Sequence, residues 1–316
     1  MLPNLIIVVG PTAVGKTAVG IELAKLIKGE VISGDSMQVY RQMDIGTAKP
    51  SKEEMQGIPH HMLDILEPDT EFSVANFQEK VEALILAIND RGKVPILVGG
   101  TGLYVKAITD RHSFTPFAAN WEYRDELLAQ AQAKGNEWLH LTLGEVDPIA
   151  AGKIHSNDLR RIIRALEVHN FTGKSISQFQ IEDQIANNSP KYNLFMYGLT
   201  LNREKLYQKI NFRVEKMIAD GLVEEVQGLL NRGYCPELVA MKGLGYKEII
   251  GYLRGDYDLS EAIRLLQRNT RHFAKRQLTW FGKEERICWI DVEKHECATE
   301  IAKEILRQIA GQLTPM

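Results

Sequence analysis

The chain has 316 residues, of which 25% are charged, and a formal net charge of −3. This composition is ordinary for a globular protein and argues against long disordered tracts. Taken over the whole chain, the charge does not indicate a nucleic-acid partner. No apolar run approaches the roughly 20 residues of a membrane span. The three cysteines form no Cys-x-x-Cys pair and no secretory leader is visible, so we expect a cytoplasmic protein with reduced thiols. Separately, we expect the protein to be a monomer.

Strands and helices alternate through the first third of the chain. The predicted strands are residues 5–9, 30–33 and 94–98, and the predicted helices are residues 15–27 and 73–91. The strand segments are short, continuous apolar runs, which is typical of strands buried on both faces of a parallel sheet. Ser73 suits the N-cap of the second helix and Gly92 its C-cap. This order predicts an α/β fold with a parallel sheet, and residues 41–60 are predicted to be mostly loop.

The pattern becomes helical from about residue 113 to residue 190, with the clearest helices at 124–134 and 158–171 and a linker at 187–190. The remaining predicted elements are strands at 192–200 and 287–290 and helices at 203–219, 223–231, 261–281 and from residue 299. Because the predicted strand at 192–200 returns to the sheet, the helical segment before it is an insertion in the α/β core. The predicted domains are therefore a catalytic core, 1–112 with 191–316, and a helical insertion, 113–190.

Residues 10–17, GPTAVGKT, fit the pattern Gly-x4-Gly-Lys-Ser/Thr between a predicted strand and a predicted helix. In this pattern the backbone N–H groups of the loop and the helix N-terminus bind phosphate oxygens. Lys16 neutralises terminal phosphates, and the Thr17 hydroxyl can ligate Mg²⁺. The motif predicts a P-loop NTPase-like core whose phosphate-binding residues are Gly10, Pro11, Thr12, Ala13, Val14, Gly15, Lys16 and Thr17.

An acidic residue normally ends a further strand of a P-loop ATPase, but here residues 94–98 run into Gly99-Gly-Thr-Gly102. An acid instead follows the earlier strand, at Asp35. In P-loop small-molecule kinases an acid at this place touches the acceptor substrate, so the pattern favours a transferase whose acceptor meets Asp35. The surrounding Ser-Gly-Asp-Ser sequence is also typical of a turn, and both interpretations stay open at this point.

The chain resembles the bacterial tRNA dimethylallyltransferases, also called tRNA isopentenyltransferases. The matching motifs are Gly10–Thr17, Asp35–Tyr40, Met43–Pro50, Gly99–Tyr104, His155–Asp158 with Arg161, Arg164–Val168, Gly243–Tyr246 and parts of 270–280. One difference is Ser156, where the family usually has proline, in a loop before a helix. The resemblance implies that dimethylallyl diphosphate alkylates the N6 amine of adenine 37 in the tRNA anticodon loop and that diphosphate is released. It also implies that the P-loop binds this prenyl diphosphate rather than ATP.

The resemblance further implies roles for single residues. Thr12 is expected to hydrogen-bond the diphosphate bridge, Arg213 to reach the diphosphate from the opposite side, and Asp35 to act as the base or to orient the amine. The expected cofactor is Mg²⁺ at Thr17. Gln38 has the donor and acceptor pair that suits an adenine edge. The residues expected to contact tRNA on this basis are Asp35, Ser36, Met37, Gln38, Thr101, Gly245 and Tyr246, and Thr101 also suits a helix N-cap.

Basic residues are concentrated on two predicted helices. Residues 259–283 hold six Lys or Arg and one acid, a local charge of +5 that leaves −8 for the remainder. A stripe of charge is usually a solvated helix face, but a stripe of one sign favours contact with RNA phosphates. One helix carries Arg264, Arg268, Arg271 and Lys275 at helical steps, and the insertion carries Arg160, Arg161 and Arg164. All but Arg264 are expected tRNA contacts.

Three other functions remain open on the sequence. An adenylate isopentenyltransferase would act on a free nucleotide, and a P-loop small-molecule kinase would transfer a γ-phosphate. A non-enzymic NTP-dependent RNA-binding protein would need a nucleotide-sensing acid after residues 94–98, where none is visible. The basic helices and the helical insertion favour tRNA over a free nucleotide.

Overall fold

The computed structural model describes residues 2–110, 120–186 and 190–313. The chain divides into two compact units, residues 1–109 with 191–316 and residues 110–190, which we call the sheet unit and the helical unit. The boundary predicted at residue 113 and residues 187–189 of the predicted linker lie outside the described residues. Within the described part of the chain, no helix is both long and apolar enough to cross a membrane.

Six parallel strands form the sheet of the sheet unit, which confirms the predicted α/β class. The strands are β1 (Asn4–Val9), β2 (Glu30–Ser33), β3 (His60–His61), β4 (Pro95–Val98), β5 (Asn193–Thr200) and β6 (Ile287–Asp291). Their order across the sheet is β3-β2-β4-β1-β5-β6. The sequence does not predict β3, because a strand of two residues is too short to show an alternating pattern.

Helices cover both faces of this sheet. Those of the sheet unit are α1 (Lys16–Ile27), α2 (Lys52–Met55), α3 (Val74–Asp90), α4 (Gly102–Thr109), α10 (Arg203–Ala219), α11 (Leu222–Asn231), α12 (Tyr246–Arg254), α13 (Leu259–Phe281) and α14 (Ala298–Ile309). Ser73 is the N-cap of α3 as predicted, whereas its C-cap is Arg91, and Gly92 follows with a φ of 69°. The sequence does not predict α4 and α12, because each is short and begins at or beside a glycine.

Alternate residues of β1 contribute to two different hydrophobic cores. Leu5, Ile7 and Val9 belong to the core with α3, α4 and α11, while Ile6 and Val8 belong to the core with α1 and α14. All five side chains are fully buried. A strand that is covered on both faces must be apolar at every position, which explains the continuous apolar run in the sequence.

The strand order places the sequence motifs at one edge of the sheet. β1 lies between β4 and β5, so the direction of chain winding reverses there. In open α/β sheets, ligands bind outside the carboxyl ends of the strands at such a reversal. The P-loop follows β1, Asp35 is the second residue after β2, and Gly99–Gly102 follows β4. The fold therefore collects three separate motifs at one edge.

The helical unit consists of α5 (Trp121–Lys134), α6 (Asn136–Val146), α7 (Pro148–Ala151), α8 (Leu159–Thr172) and α9 (Ile176–Ala186). Its core includes Leu127, Leu139, Leu143 and Ile162, all of them buried. These residues come from α5, α6 and α8, so the unit has an apolar core of its own.

A buried carboxylate lies within the helical unit. Glu167 is fully buried and accepts hydrogen bonds from Arg124 at 2.9 and 2.8 Å, and Arg164 also pairs with it. The backbone N–H of Asn120 donates to it at 2.8 Å. Burial alone would raise the pKa of this carboxyl, but the hydrogen bonds from the two arginines outweigh burial, and the pKa is lowered. Arg164, an expected tRNA contact, is thus half-buried and paired within the unit.

We expect Glu167→Gln to destabilise the protein by about 2 to 3 kcal/mol. The variant removes the negative charge that two half-buried guanidinium groups share, and breaking a fully buried pair costs about 3–5 kcal/mol. The cost is lower here because both arginines keep partial contact with water. The free energy of unfolding, from urea titration followed by tryptophan fluorescence, measures the effect.

Glu182→Gln is the matched control, since Glu182 forms an exposed pair with Lys174 at 2.8 Å in the same unit. It should change the free energy by less than about 1 kcal/mol. Equal effects of the two variants would contradict a structural role for the buried pair.

Candidate active site

The P-loop joins the carboxyl end of β1 to α1. Gly10 has a φ of 144° and Gly15 a φ of 104°, conformations that favour glycine, and Ala13 also has a positive φ, of 66°. A Cβ on Gly10 would lie 2.6 Å from the carbonyl oxygen of Leu199 in β5, so no larger residue fits there. Because α1 begins at Lys16, the loop and the helix N-terminus together have the geometry of a phosphate cradle.

Two cationic side chains meet at the P-loop. Lys16 Nζ donates a hydrogen bond to the carbonyl oxygen of Pro11 at 2.8 Å, and Arg213 of α10 donates to Thr12 Oγ1 at 3.3 Å. Among the described residues, neither cation forms a salt bridge. Desolvation lowers the pKa of Lys16 to about 7, with a further contribution from Arg213 and an opposing one from Asp35. Two cations without a counter-ion indicate a site for an anion.

Asp35 lies at the same edge, after β2. Its Oδ1 accepts a hydrogen bond from the backbone N–H of Met37 at 2.8 Å. Burial raises the pKa of the Asp35 carboxyl, while the bond from Met37 and the charge of Lys16 partly oppose this rise. A carboxylate with a raised pKa is a stronger base. The structure therefore brings together the three expected catalytic residues, Thr12, Asp35 and Arg213, in the sheet unit.

The loop that carries Asp35 is held against the turn after β4. A Cβ on Gly99 would lie 2.4 Å from the carbonyl oxygen of Gly34, so the two backbones approach as closely as glycine allows. Thr101 Oγ1 accepts a hydrogen bond from the N–H of Ser36 at 3.3 Å, and the Thr101 N–H donates to Gly34 at 3.4 Å. Thr101 thus supports the acid-bearing loop directly before α4 begins.

Gln38 is engaged within its own loop. Its Oε1 accepts a hydrogen bond from Ser33 Oγ at 2.8 Å, and its Nε2 donates to the carbonyl oxygens of Thr47 and Ala48 at 3.2 and 3.3 Å. The amide therefore holds two chain segments together. Reading an adenine edge, the role expected from the sequence, would require the exchange of these hydrogen bonds for bonds to the base.

The Gly243–Tyr246 motif packs beneath the site. Tyr246 is fully buried, and a Cβ on Gly46 would lie 2.5 Å from its ring. A Cβ on Gly243 would lie 2.5 Å from the Met37 side chain. Gly245 is buried and has a φ of 97°. A direct tRNA contact by the Tyr246 side chain, which the sequence predicts, does not fit its burial, and the motif here supports the neighbouring loops.

Glu225 of α11 is a site residue that sequence reasoning misses. Its carboxylate accepts hydrogen bonds from the N–H groups of Asp44, Ile45 and Gly46 at 2.9, 2.7 and 3.1 Å. It also accepts one from the Tyr246 hydroxyl at 2.7 Å. An acid in the first turn of a helix is common on dipole grounds alone, so no local signal identifies it. One carboxylate thus shapes the segment that follows the Asp35 loop.

Gln277 of α13 is a second residue to which the sequence assigns no role. It is 5% exposed, and its Oε1 accepts a hydrogen bond from the N–H of Thr12 at 2.8 Å. Its Nε2 donates to the carbonyl oxygen of Gly100 at 3.0 Å. The available signal is a polar residue on the buried face of an amphipathic helix.

Only part of the predicted basic stripe on α13 faces solvent without a partner. Arg264 forms two hydrogen bonds with Glu261, at 2.6 and 2.5 Å. Arg271 is half-buried and donates to a side chain of α10 at 2.7 Å. Arg268 and Lys275 are exposed, and neither forms a salt bridge within the described ranges. These two residues are the strongest candidates for phosphate contacts on this helix.

The basic cluster of the helical unit likewise contains both exposed arginines and an arginine that is paired with a buried group. Arg160 and Arg161 are exposed on α8, and Arg161 forms a pair with Asp158 at 3.4 Å. Arg164 pairs instead with the buried Glu167. The outer surface of α8 therefore presents two of the three expected arginines to solvent.

The residues at the P-loop fit a magnesium ion whose ligands are mainly phosphate oxygens and water, with few ligands from the protein. Thr17 is exposed, and no carboxylate ends β4. In the described part of the chain, no group of three or more His, Cys, Asp or Glu side chains could hold a metal. Mg²⁺ usually keeps several waters and binds through few protein oxygens plus phosphates. A single hydroxyl ligand from Thr17 is consistent with that chemistry.

A P-loop with no acid at the end of β4, together with a second cation and an acid in the loop after β2, is typical of a P-loop group transferase. The IPP transferase family model matches residues 38–284. The chain is 54% identical over 308 residues to the tRNA dimethylallyltransferase of Carboxydothermus hydrogenoformans, covering 98% of each. It is 57% identical over 283 residues to that of Heliobacterium modesticaldum, covering 90% of this chain and 88% of the relative.

Solved structures agree with these matches. A tRNA isopentenylpyrophosphate transferase from Bacillus halodurans is 45% identical, with a TM-score of 0.73 over 98% of this chain and 97% of that one. A eukaryotic dimethylallyltransferase acting on tRNA is 30% identical, with a TM-score of 0.80 over 97% of this chain and 78% of that one. The chain belongs to the IPP transferase family, the tRNA dimethylallyltransferases.

The pKa of Lys16 predicts how diphosphate binding depends on pH. In the free protein the charged amine is present below pH 7 and is lost as the pH rises above it, because its pKa is lowered to about 7. A bound anion favours the charged form, so binding above this pH takes up a proton. We expect the affinity for inorganic diphosphate to fall between about pH 7 and pH 9, by up to about tenfold per unit.

Isothermal titration calorimetry in buffers of different ionisation enthalpy measures both the affinity and the proton uptake. Lys16→Arg is the matched variant, since a guanidinium stays charged over this range and should flatten the pH dependence. The comparison also corrects for ionisation of the diphosphate itself. The same pH dependence in both proteins would contradict the assignment to Lys16.

Proposed function

We propose that this protein transfers a dimethylallyl group from dimethylallyl diphosphate to the N6 amine of adenine 37 in the tRNA anticodon loop, with release of diphosphate. The observation that carries this proposal is the convergence of the P-loop, Arg213 and Asp35 at one sheet edge, in a member of the IPP transferase family. The names of the relatives supply the tRNA and the transferred group.

The acceptor determines which groups the reaction needs. An exocyclic adenine amine is a weak nucleophile, because its lone pair is delocalised into the ring. As its C–N bond to the allylic carbon forms, the C–O bond to diphosphate breaks and the N6 proton must leave. Asp35, whose pKa is raised by burial, is the group that accepts this proton.

The diphosphate leaving group determines which positive groups the reaction needs. Departing diphosphate gains negative charge, and fixed positive groups around it lower the barrier. Lys16 and Arg213 are two such groups, and neither must give up an ion pair to bind the diphosphate. Thr12 Oγ1 accepts a hydrogen bond from Arg213, and its own proton would be donated to the bridging oxygen of the diphosphate. Mg²⁺ bound with Thr17 would supply further neutralisation of the diphosphate.

Recognition of tRNA is assigned to exposed basic residues of each unit. Arg268 and Lys275 of α13 and Arg160 and Arg161 of α8 would contact RNA phosphates, which position the substrate without reading its sequence. The target base must leave the loop stack to reach the Asp35 carboxylate. We place this reaction in the cytoplasm and assign it to the monomeric chain.

Two alternatives make different predictions for the products. An adenylate isopentenyltransferase would prenylate free AMP, ADP or ATP, and a kinase would transfer a γ-phosphate. The basic residues on α13 and α8 and the names of the relatives support tRNA as the acceptor. The absence of a carboxylate after β4 argues against nucleotide hydrolysis.

Incubation with dimethylallyl diphosphate and unmodified tRNA, followed by nucleoside mass spectrometry, tests the proposal. We expect isopentenyl adenosine at position 37, its loss with excess chelator, and no product on free nucleotides. Asp35→Asn should bind inorganic diphosphate normally but react at least about 10²-fold more slowly in single turnover, because it cannot accept the proton. The wild-type rate should also fall as the pH drops through the raised pKa of Asp35.

Asp220→Asn is the control, because it removes an exposed carboxylate at the end of α10. It should retain the wild-type rate. Absence of isopentenyl adenosine with the wild type would refute the reaction, and a near-normal rate for Asp35→Asn would refute the role of this carboxylate.

Replacing Arg268 and Lys275 together by Gln should weaken tRNA binding and flatten its salt dependence. Each lost phosphate contact reduces the slope of log K against log salt by about 0.7 to 0.9. Filter binding between about 50 and 200 mM salt measures the slope. Arg307→Gln, an exposed residue of α14, is the control and should leave the slope unchanged. An unchanged slope in the double variant would exclude phosphate contacts by this helix.

A further inference from the structure

The amide of Gln277 spans the two halves of the candidate active site. One end accepts the hydrogen bond from Thr12 in the P-loop, and the other donates to Gly100 after β4. We propose that Gln277 is a positioning residue for prenyl transfer, which sets the leaving-group side of the site relative to the acceptor side. This inference rests on the proposed function, because it concerns the rate of that reaction.

On the leaving-group side, Gln277 acts through Thr12. The backbone N–H of Thr12 is satisfied by Gln277 rather than by the loop itself, and an unpaired donor there would carry a desolvation penalty. The side chain of the same residue contacts Arg213. The hydrogen bond that Thr12 donates to Gln277 therefore holds in place the hydroxyl that accepts from the second cation, Arg213.

On the acceptor side, Gln277 acts through the turn after β4. Gly100, whose carbonyl accepts from Gln277, directly precedes Thr101, and the Thr101 hydroxyl accepts from the N–H of Ser36. Ser36 is the next residue after Asp35. A shift of the turn would thus move the loop that carries the base, and a misplacement of about 1 Å can cost about 10² in rate.

Glutamine suits this position because of both its chemistry and its shape. Glutamate could still accept from Thr12 but could not donate to Gly100, and methionine could do neither. The fit is tight, since a Cβ on Gly100 would lie 2.1 Å from Gln277 Nε2. The side chain comes from a buried position of α13, a helix that lies far along the sequence from both of its partners.

Single-turnover rates with saturating dimethylallyl diphosphate and tRNA test the inference, normalised to active sites titrated with diphosphate. We expect Gln277→Met to slow the reaction by about 10-fold to 100-fold. Its dissociation constant for inorganic diphosphate should change by less than about threefold, because Lys16 and the P-loop amides remain. If Gln277→Met does not fold, Gln277→Glu is the second variant. We expect it to react more slowly than the wild type as well.

Combination with Thr12→Val separates positioning from mere packing. If Gln277 acts through Thr12, adding Gln277→Met to the Thr12→Val variant should slow the reaction by a smaller factor than Gln277→Met slows the wild type. If the two residues act independently, the two factors should be the same, and the effects multiply. Gln78→Met is the matched control, since Gln78 also donates to a backbone carbonyl, that of Ala107, at 2.8 Å. It should lower stability but leave the normalised rate unchanged.

A wild-type rate in folded Gln277→Met or Gln277→Glu protein, or fully multiplicative effects, would overturn the inference. So would a loss that disappears on normalisation to active sites, because that result would indicate a role in folding only. Failure of the wild-type protein to prenylate tRNA would instead refute the proposed function. The wild-type reaction is therefore measured before any variant.

Discussion

The close approach of two backbones, at Gly34 after β2 and Gly99 after β4, is the constraint on which the candidate active site depends. Any side chain at Gly99 would collide with the carbonyl oxygen of Gly34, since its Cβ would lie 2.4 Å away. The contact lets Thr101 reach the N–H of Ser36. With the two strand ends farther apart, Asp35 would lose this support, and the acid and the P-loop cation would no longer share one edge.

The charged groups that are shielded from water fall into two kinds in this protein, those with ion-pair partners and those without. Glu167 and Glu30 are each surrounded by cationic partners, and hydrogen bonds from those partners lower the pKa of both carboxyls, that of Glu30 to about 2. Lys16 and Arg213 have no such partner among the described residues, and desolvation lowers the pKa of both. Removing one member of a neutralised pair would leave an uncompensated charge in the protein, whereas two cations without an ion pair favour the binding of an anion.

Prediction from the sequence succeeded where the signal is local and failed where the partner is distant. The strand at residues 30–33 and the helix at 203–219 are predicted with the bounds that the structure has, because apolar pattern and capping are encoded within them. The exposure of Arg271 could not be predicted, because the side chain that holds it comes from α10. Glu225 gives no local signal, and a polar residue on a buried helix face is the only signal at Gln277, since the groups that both residues bind lie elsewhere in the sequence.

By itself, the sequence determined the α/β class and the family and predicted the phosphate cradle, because a P-loop needs a fixed spacing of glycine and lysine between strand and helix. It also showed that an acidic chain carries two basic helices. Only the tertiary structure decided which basic residues remain unpaired and which polar side chains hold the site together. Those properties depend on contacts between residues far apart in sequence, and such contacts exist only once the sheet and its helices have packed.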